Sequence, residues 1–238
     1  MSNQPPIEVP QGAIRLNTDS QKLEFYAQDR WYEMATDVPT LDGGARAVSQ
    51  ATTPSTNAID LITIATAGNA TDFGDAVTAL TGRYGASSRT RGIFAGGGTP
   101  SRVNNIEFIT ISTTGNGTDF GDCVAAITNA RGGNCGNAVR GVMVGGNNGA
   151  SNTIQYVTIS TLGNTVDFGD RTVAKNQIAH MSSTTRGVFA GAGAKDTNVA
   201  DYVHIMTTGN AVDFGDLSAN GSSGYGWAAG ASNGHGGL

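Results

Sequence analysis

The tetrapeptide Asp-Phe-Gly-Asp occurs four times in this chain, at 72–75, 119–122, 167–170 and 213–216, at intervals of 47, 48 and 46 residues. Each copy stands in one frame, Gly-Asn, two residues, then the tetrapeptide: GNATDFGD from Gly68, GNGTDFGD from Gly115, GNTVDFGD from Gly163 and GNAVDFGD from Gly209. A repeat of that period is one small structural unit that cannot bury its apolar surface alone, so neighbouring copies must stack. Upstream lie the β-branched runs IDLITIAT, IEFITIST, IQYVTIST and ADYVHIMT, from Ile59, Ile106, Ile154 and Ala200, which read as strands. Leu61, Phe108, Tyr156 and Tyr202 fall on one pleat face; Ile62/Ile64, Ile109/Ile111, Val157/Ile159 and Val203/Ile205 fall on the other. Apolar residues on both faces predict sheets covered on both sides. The Gly-Asn pair reads as a tight hairpin turn, because both residues tolerate positive φ, with the tetrapeptide in the returning strand.

A third element precedes each run: RGIFAGG from Arg91, RGVMVGG from Arg140 and RGVFAGA from Arg186, with weaker versions at Arg46 and Tyr225. One more strand fits before each Arg-Gly, through Ala86, Cys135 and Met181, each five residues ahead of its Arg. Four short antiparallel strands in such a unit make a β-propeller blade. The expected fold is therefore all-β, with about four units over 46–238. The units resemble the kelch type, because an apolar strand ending in double Gly, as at Phe94 to Gly97 and Met143 to Gly146, sits near the blade centre in that family. The match is partial: kelch blades carry a later Tyr and Trp, and only Trp227 lies in the repeat region.

Residues 12–36 have another character. Three short alternating strands, Ala13 to Leu16, Lys22 to Tyr26 and Trp31 to Met34, are separated by the polar turns NTDSQ and AQDR, which predicts a three-stranded meander. So small a sheet needs a partner surface, so this segment reads as an attachment or oligomerisation module. An arm at 1–11 precedes it and a linker at 37–45 follows.

Composition narrows the function. Gly supplies 35 of 238 residues, only 14% of residues are charged, and 3 Lys and 4 Glu exclude a helical bundle. A net charge of −5 without a basic stripe argues against nucleic acid, and no apolar run approaches the roughly 20 residues of a membrane helix. The opening MSNQPPIEVPQG lacks a secretory layout, so the chain is expected to be made inside a cell, with Cys123 and Cys135 as free thiols. The sequons at Asn69, Asn116 and Asn220 then carry little meaning.

The segment GAIRLNTDSQKLEFY, followed by WYEM, is similar to the short meander that opens many tailed-phage fibre and appendage proteins, where a Gly-Ser-Ile-Arg-Tyr-Asn-Thr-Asp stretch leads to an aromatic and then a Trp. The repeats, with phrases such as TGNAVDFGD and TRGIFAGG, resemble repeat proteins of cyanophage virions. The resemblance spans nearly the whole chain. It implies a virion structural protein, a tail fibre, neck or tail appendage or capsid-surface decoration, often homotrimeric, in contact with other virion proteins. It implies no catalytic residue and no cofactor.

The tetrapeptide invites two chemical readings. A kinase-type magnesium site would need a phosphate loop, a strand Lys and a catalytic-loop Asp, none of which is present, and the Gly-rich GGGTPS and GGNNGAS lack a following Lys-Ser/Thr. Calcium takes six to eight oxygen ligands, where each copy offers two carboxylates. A structural role is expected instead. One Asp of each pair, Asp72/Asp75, Asp119/Asp122, Asp167/Asp170 or Asp213/Asp216, caps a turn. Phe73, Phe120, Phe168 and Phe214 fill the space between units, and Gly makes the bend. Arg91, Arg140 and Arg186 recur with these carboxylates, which predicts a repeated Arg–Asp ion pair. His180, His204 and His235 show no metal-ligand spacing, and no nucleophile elbow is present. The alternative to a purely structural role is a propeller that binds host-surface glycan, with Tyr84, Tyr156, Tyr202, Tyr225 and Trp227 as candidate platforms. A propeller glycosidase is disfavoured, because the carboxylates lie in one repeated turn.

Overall fold

The computed structural model describes residues 9–17, 22–33, 46–50, 56–98, 101–127, 135–144, 151–175, 178–191, 197–218 and 230. The chain divides into two compact units, Met1–Thr40 and Leu41–Leu238. The predicted arm at 1–11 falls largely, and the linker at 37–45 wholly, outside the described residues, as do Tyr225, Trp227, Asn220 and His235. All regular structure among the described residues is β-strand.

The first unit is a meander of β1 (Ile14–Asn17), β2 (Lys22–Ala27) and β3 (Arg30–Glu33). The hairpin between β2 and β3 turns on Gln28 and Asp29, both at positive φ (49° and 58°), the conformation that matches a two-residue turn to the twist of its strands. Pleat alternation divides the residues. Arg15 lies 4.1 Å over the Trp31 ring and 2.7 Å from the Glu24 carboxylate, which also accepts from Asn17 at 2.9 Å. Hydrogen bonds from Asn17 and then Arg15 hold the Glu24 carboxyl below its ordinary value. On the other face Ile14, Leu16, Leu23 and Phe25 are exposed, with Phe25 stacked on Tyr32 at 5.5 Å.

The second unit is a series of four antiparallel sheets, each threaded in simple chain order. Repeat 1 holds β4 (Arg46–Gln50), β5 (Ala58–Thr63) and β6 (Thr71–Asp75). Repeat 2 holds β7 (Tyr84–Ser87), β8 (Arg91–Ala95), β9 (Asn105–Thr110) and β10 (Thr118–Asp122). Repeat 3 holds β11 (Arg140–Val144), β12 (Ser151–Thr158) and β13 (Val166–Lys175). Repeat 4 holds β14 (Ala179–Ser182), β15 (Arg186–Ala190), β16 (Val199–His204) and β17 (Val212–Asp216). The expected strands through Ala86 and Met181 are β7 and β14. Of that through Cys135 the described residues show one bridge, Gly136 to Gly141. Register repeats with sequence: Arg46, Arg91, Arg140 and Arg186 stand opposite Thr63, Thr110, Thr158 and His204.

Each tetrapeptide carries a β-bulge. On β10 Asp119 pairs Glu107 while Gly121 pairs Ile106, leaving Phe120 as the extra residue, and the same step recurs at Phe73, Phe168 and Phe214. A bulge kinks the strand and re-aims the side chain it inserts. Here it sends three of the four rings into clusters shared with the next repeat. Phe73 packs with Ile109 and Ile111, Phe120 with Val157 and Ile159, and Phe168 with Val203 and Ile205. The core thus lies between sheets, in three successive layers.

Candidate functional site

The repeated residues meet at three equivalent seams, where the Gly-Asn of one repeat lies on the tetrapeptide of the repeat before it. Gly115 N donates to Phe73 O at 2.8 Å, Gly117 N to Asp75 O at 2.7 Å, and Asp75 N to Asn116 Oδ1 at 3.0 Å. Gly163, Thr165 and Asn164 make the same bonds to Phe120 and Asp122, at 2.9, 2.8 and 2.9 Å. Gly209, Ala211 and Asn210 make them to Phe168 and Asp170, at 2.7, 2.8 and 3.0 Å. Gly-Asn is therefore a docking element and not the hairpin turn. The chain reverses earlier, at bonds such as Thr113 N to Thr110 O and Thr161 N to Thr158 O, both 3.2 Å. A turn and a dock both favour Gly-Asn, and only the partner distinguishes them.

The middle Gly of the tetrapeptide is required by this approach. Gly74, Gly121 and Gly169 sit at φ between 140° and 145°, and a Cβ on each would come within 2.5 Å of the backbone of Gly115, Gly163 or Gly209. The Asp cap takes a different form from the one expected. At the seams the capped donor is the N–H of Asp75, Asp122 or Asp170, and the cap is the Asn of the following repeat. Asp213 caps within its own tetrapeptide, accepting from Gly215 N at 3.1 Å.

The predicted Arg–Asp ion pair is replaced by another contact. Arg91 Nη1 donates to Ile159 O at 2.8 Å and Arg140 Nη1 to Ile205 O at 3.0 Å, each in the next repeat. Arg46 reaches Ile111 O and Ser112 O in the same way, at 3.2 and 2.9 Å. The guanidiniums of Arg91, Arg140 and Arg186 lie over Phe108, Tyr156 and Tyr202 at 4.4, 4.3 and 4.9 Å. A planar cation that stacks on a ring and donates at its edge suits this position. Backbone carbonyls have no letter in a sequence, so the charged partner was the only one that co-occurrence suggested.

A fourth seam contact has its own sequence signal: the second residue of each β5-type run is polar, Asp60, Glu107, Gln155 or Asp201. Glu107 accepts from Val77 N at 2.9 Å and pairs with buried Arg83 at 3.0 Å. Gln155 accepts from Thr165 Oγ1 at 2.6 Å, and that oxygen accepts from Val124 N at 2.6 Å. Asp201 pairs with Arg171 at 2.9 Å and accepts from Thr172 Oγ1 at 2.5 Å. All these groups satisfy the chain just after the preceding tetrapeptide. Burial pulls the Arg171 guanidinium below its ordinary value, against the opposing charge of Asp201.

The remaining candidates lie within the fold. Tyr84, a proposed glycan platform, is buried; its hydroxyl bonds Val142 O and accepts from Cys135 N at 2.9 Å. Tyr156 lies under Arg140 and edge-on to Phe168, and Tyr202 lies under Arg186 and edge-on to Phe214. Both cysteines are free and buried, and burial pushes each thiol up to about 12, with Asp122 adding to the effect at Cys123. His180 is buried between Tyr84 and Phe189, and His204 is exposed beside Tyr202. Among the described residues no three His, Cys, Asp or Glu side chains converge, and no helix is long and apolar enough to cross a membrane.

No protein-family model matches the chain, and no curated protein is similar to it in sequence. Among solved structures it is similar to YjhT, a kelch-type propeller, with a TM-score of 0.57 and 8% identity over 71% of this chain. The match spans 61% of YjhT, so the chain covers about three-fifths of that structure's length. The likeness identifies the fold as all-β and propeller-like, built of small antiparallel sheets, and the described residues form no closed ring.

Proposed function

We propose that this chain is a non-enzymatic structural protein of a tailed-bacteriophage virion, a fibre, neck or tail appendage or capsid-surface decoration, with a body of four kelch-like blades. The observation that carries the proposal is the use of the repeated residues. Phe, Gly, Asn and Arg of successive copies meet at the three seams, and among the described residues no three His, Cys, Asp or Glu side chains converge. Such a chain invests its recurring chemistry in its own rigidity. The resemblance of the meander and of the repeats to virion proteins supplies the setting. The exposed apolar face of the meander, Ile14, Leu16, Leu23 and Phe25, is the surface through which it attaches to other virion proteins or trimerises.

The test is mass spectrometry of tailed-phage particles from the phage that encodes this chain, purified on a density gradient and washed in high salt. Peptides of the chain in fixed ratio to the capsid protein are expected. Recovery only in the soluble fraction of the lysate would end this reading.

A further inference from the structure

Among the described residues the three seams use four repeats, which leaves half a seam on each outer repeat. Repeat 4 presents the acceptor half. Phe214 is 57% exposed, and a Cβ on Gly215 meets nothing within 4 Å, where its three counterparts meet backbone. Repeat 1 presents the donor half. Ile62 and Ile64, which the sequence pattern placed under cover, are 41% and 64% exposed, while their counterparts Ile109, Ile111, Val157, Ile159, Val203 and Ile205 are buried by the preceding repeat. Gly115, Gly163 and Gly209 stand at φ of 149° to 155° with their N–H groups bonded to the preceding repeat. Among the described residues no bond joins Phe214 or Asp216 to Gly68, Asn69 or Ala70. Among the described residues Arg186 bonds no carbonyl of another repeat and Asp60 accepts from no other repeat.

We propose that these two halves join between copies of this chain, so that repeat 1 of one molecule docks on repeat 4 of another. The occupant follows from continuity with the interface already present three times. Gly68 N would donate to Phe214 O, Ala70 N to Asp216 O, and Asp216 N to Asn69 Oδ1. Phe214 would enter the Ile62/Ile64 cleft, and Arg186 would reach Ile64 O. Both outer faces keep the full Gly-Asn and Asp-Phe-Gly-Asp signature, where the ends of a stacked series ordinarily carry a polar cap. The contact is head to tail, so assembly continues until a ring closes or a filament grows.

The experiment uses full-length chains and light scattering. The unaltered protein is expected to run well above the 24.2 kDa chain mass, increasingly so with concentration. Phe214→Asp blocks one half, and Ile62→Asp with Ile64→Asp blocks the other. In a Leu16→Asp, Phe25→Asp background, which removes the exposed apolar face of the meander, each variant alone is expected to be a monomer, and an equimolar mixture a dimer of twice the chain mass, since it holds one intact half of each kind. Asn69→Leu, a change at an exposed side chain, is expected to weaken association at least tenfold and gives a second donor-side variant should the Ile changes disturb folding. A monomeric unaltered chain, variants that still associate alone, or a mixture that stays monomeric would overturn the proposal. The altered background separates this contact from association through the meander, whose apolar face it removes.

Discussion

Phe120 and Phe214 stand at the same place in the same tetrapeptide, on the same bulge, beside the same kind of edge-on ring, yet one is 3% and the other 57% exposed. Phe120 has a following repeat, which supplies Val157, Ile159, Gly163 and Asn164, and among the described residues Phe214 has no counterpart of it. The contrast shows that a repeat of this type does not own its core. Each sheet carries half of two cores, and stability resides in the contact between neighbours.

The comparison can be broken most directly at the ring itself. Phe120→Ala removes a buried aromatic from a packed layer and is expected to cost about 3–5 kcal/mol in urea unfolding, while Phe214→Ala, measured where the chain is monomeric, stays within about 1 kcal/mol. Equal losses would mean that the ring stabilises its own sheet. Next is the glycine. Gly121→Ala combines a positive-φ penalty of about 1–2 kcal/mol with a steric cost of about 1–3 kcal/mol against Gly163, whereas Gly215→Ala carries the first alone. A thermal-melting series that ranks the two alike would remove the seam as the reason for Gly. Smaller still, Asn164→Ala leaves Asp122 N without its acceptor and is expected to cost about 1 kcal/mol, against no measurable change for Asn69→Ala in the monomer.

The thiols sharpen the same contrast without much energy. Cys123 directly follows its tetrapeptide inside a seam, and the matching residue at the open end is the half-buried Leu217. A disulfide-exchange reagent at pH 8 is expected to leave Cys123 and Cys135 untouched in the folded chain and to modify a Leu217→Cys variant. The folded thiols keep their protons up to about 12, while the unfolded chain loses them above about 9. Their contribution to stability is therefore complete below pH 9 and falls as pH rises toward 12. Unfolding free energy that stays level across that window would count against their burial.

Much of this was legible in the sequence, and the parts that were not share a cause. Period, strand positions and the inward Phe follow from side-chain types, because pattern and volume are written in the residues. The strand through Ala86 could be placed by counting back from Arg91. By contrast, Arg91 donates to a carbonyl of Ile159, and Asn164 caps an N–H of Asp122, partners that every residue possesses and no composition reveals. Co-occurrence of Arg with Asp was a true regularity of the repeat, but the two belong to different contacts. The polar second position of the strands, Asp60, Glu107, Gln155 and Asp201, was visible in all four copies. It gained meaning only when Val77 and Val124 were seen to need acceptors.

The Asn that completes each seam lies 40 to 42 residues beyond the N–H that it caps. During synthesis a tetrapeptide therefore leaves the ribosome well before the segment that covers it. The nascent chain carries one bare Phe at its growing edge, and each new repeat buries the last one while exposing its own. Co-translational folding is expected to run N-terminal repeat first, each new repeat docking on the last. A stalled ribosome at any repeat boundary would hold a chain with the same sticky face that the finished protein presents at repeat 4, and the two would compete for the same partner surface.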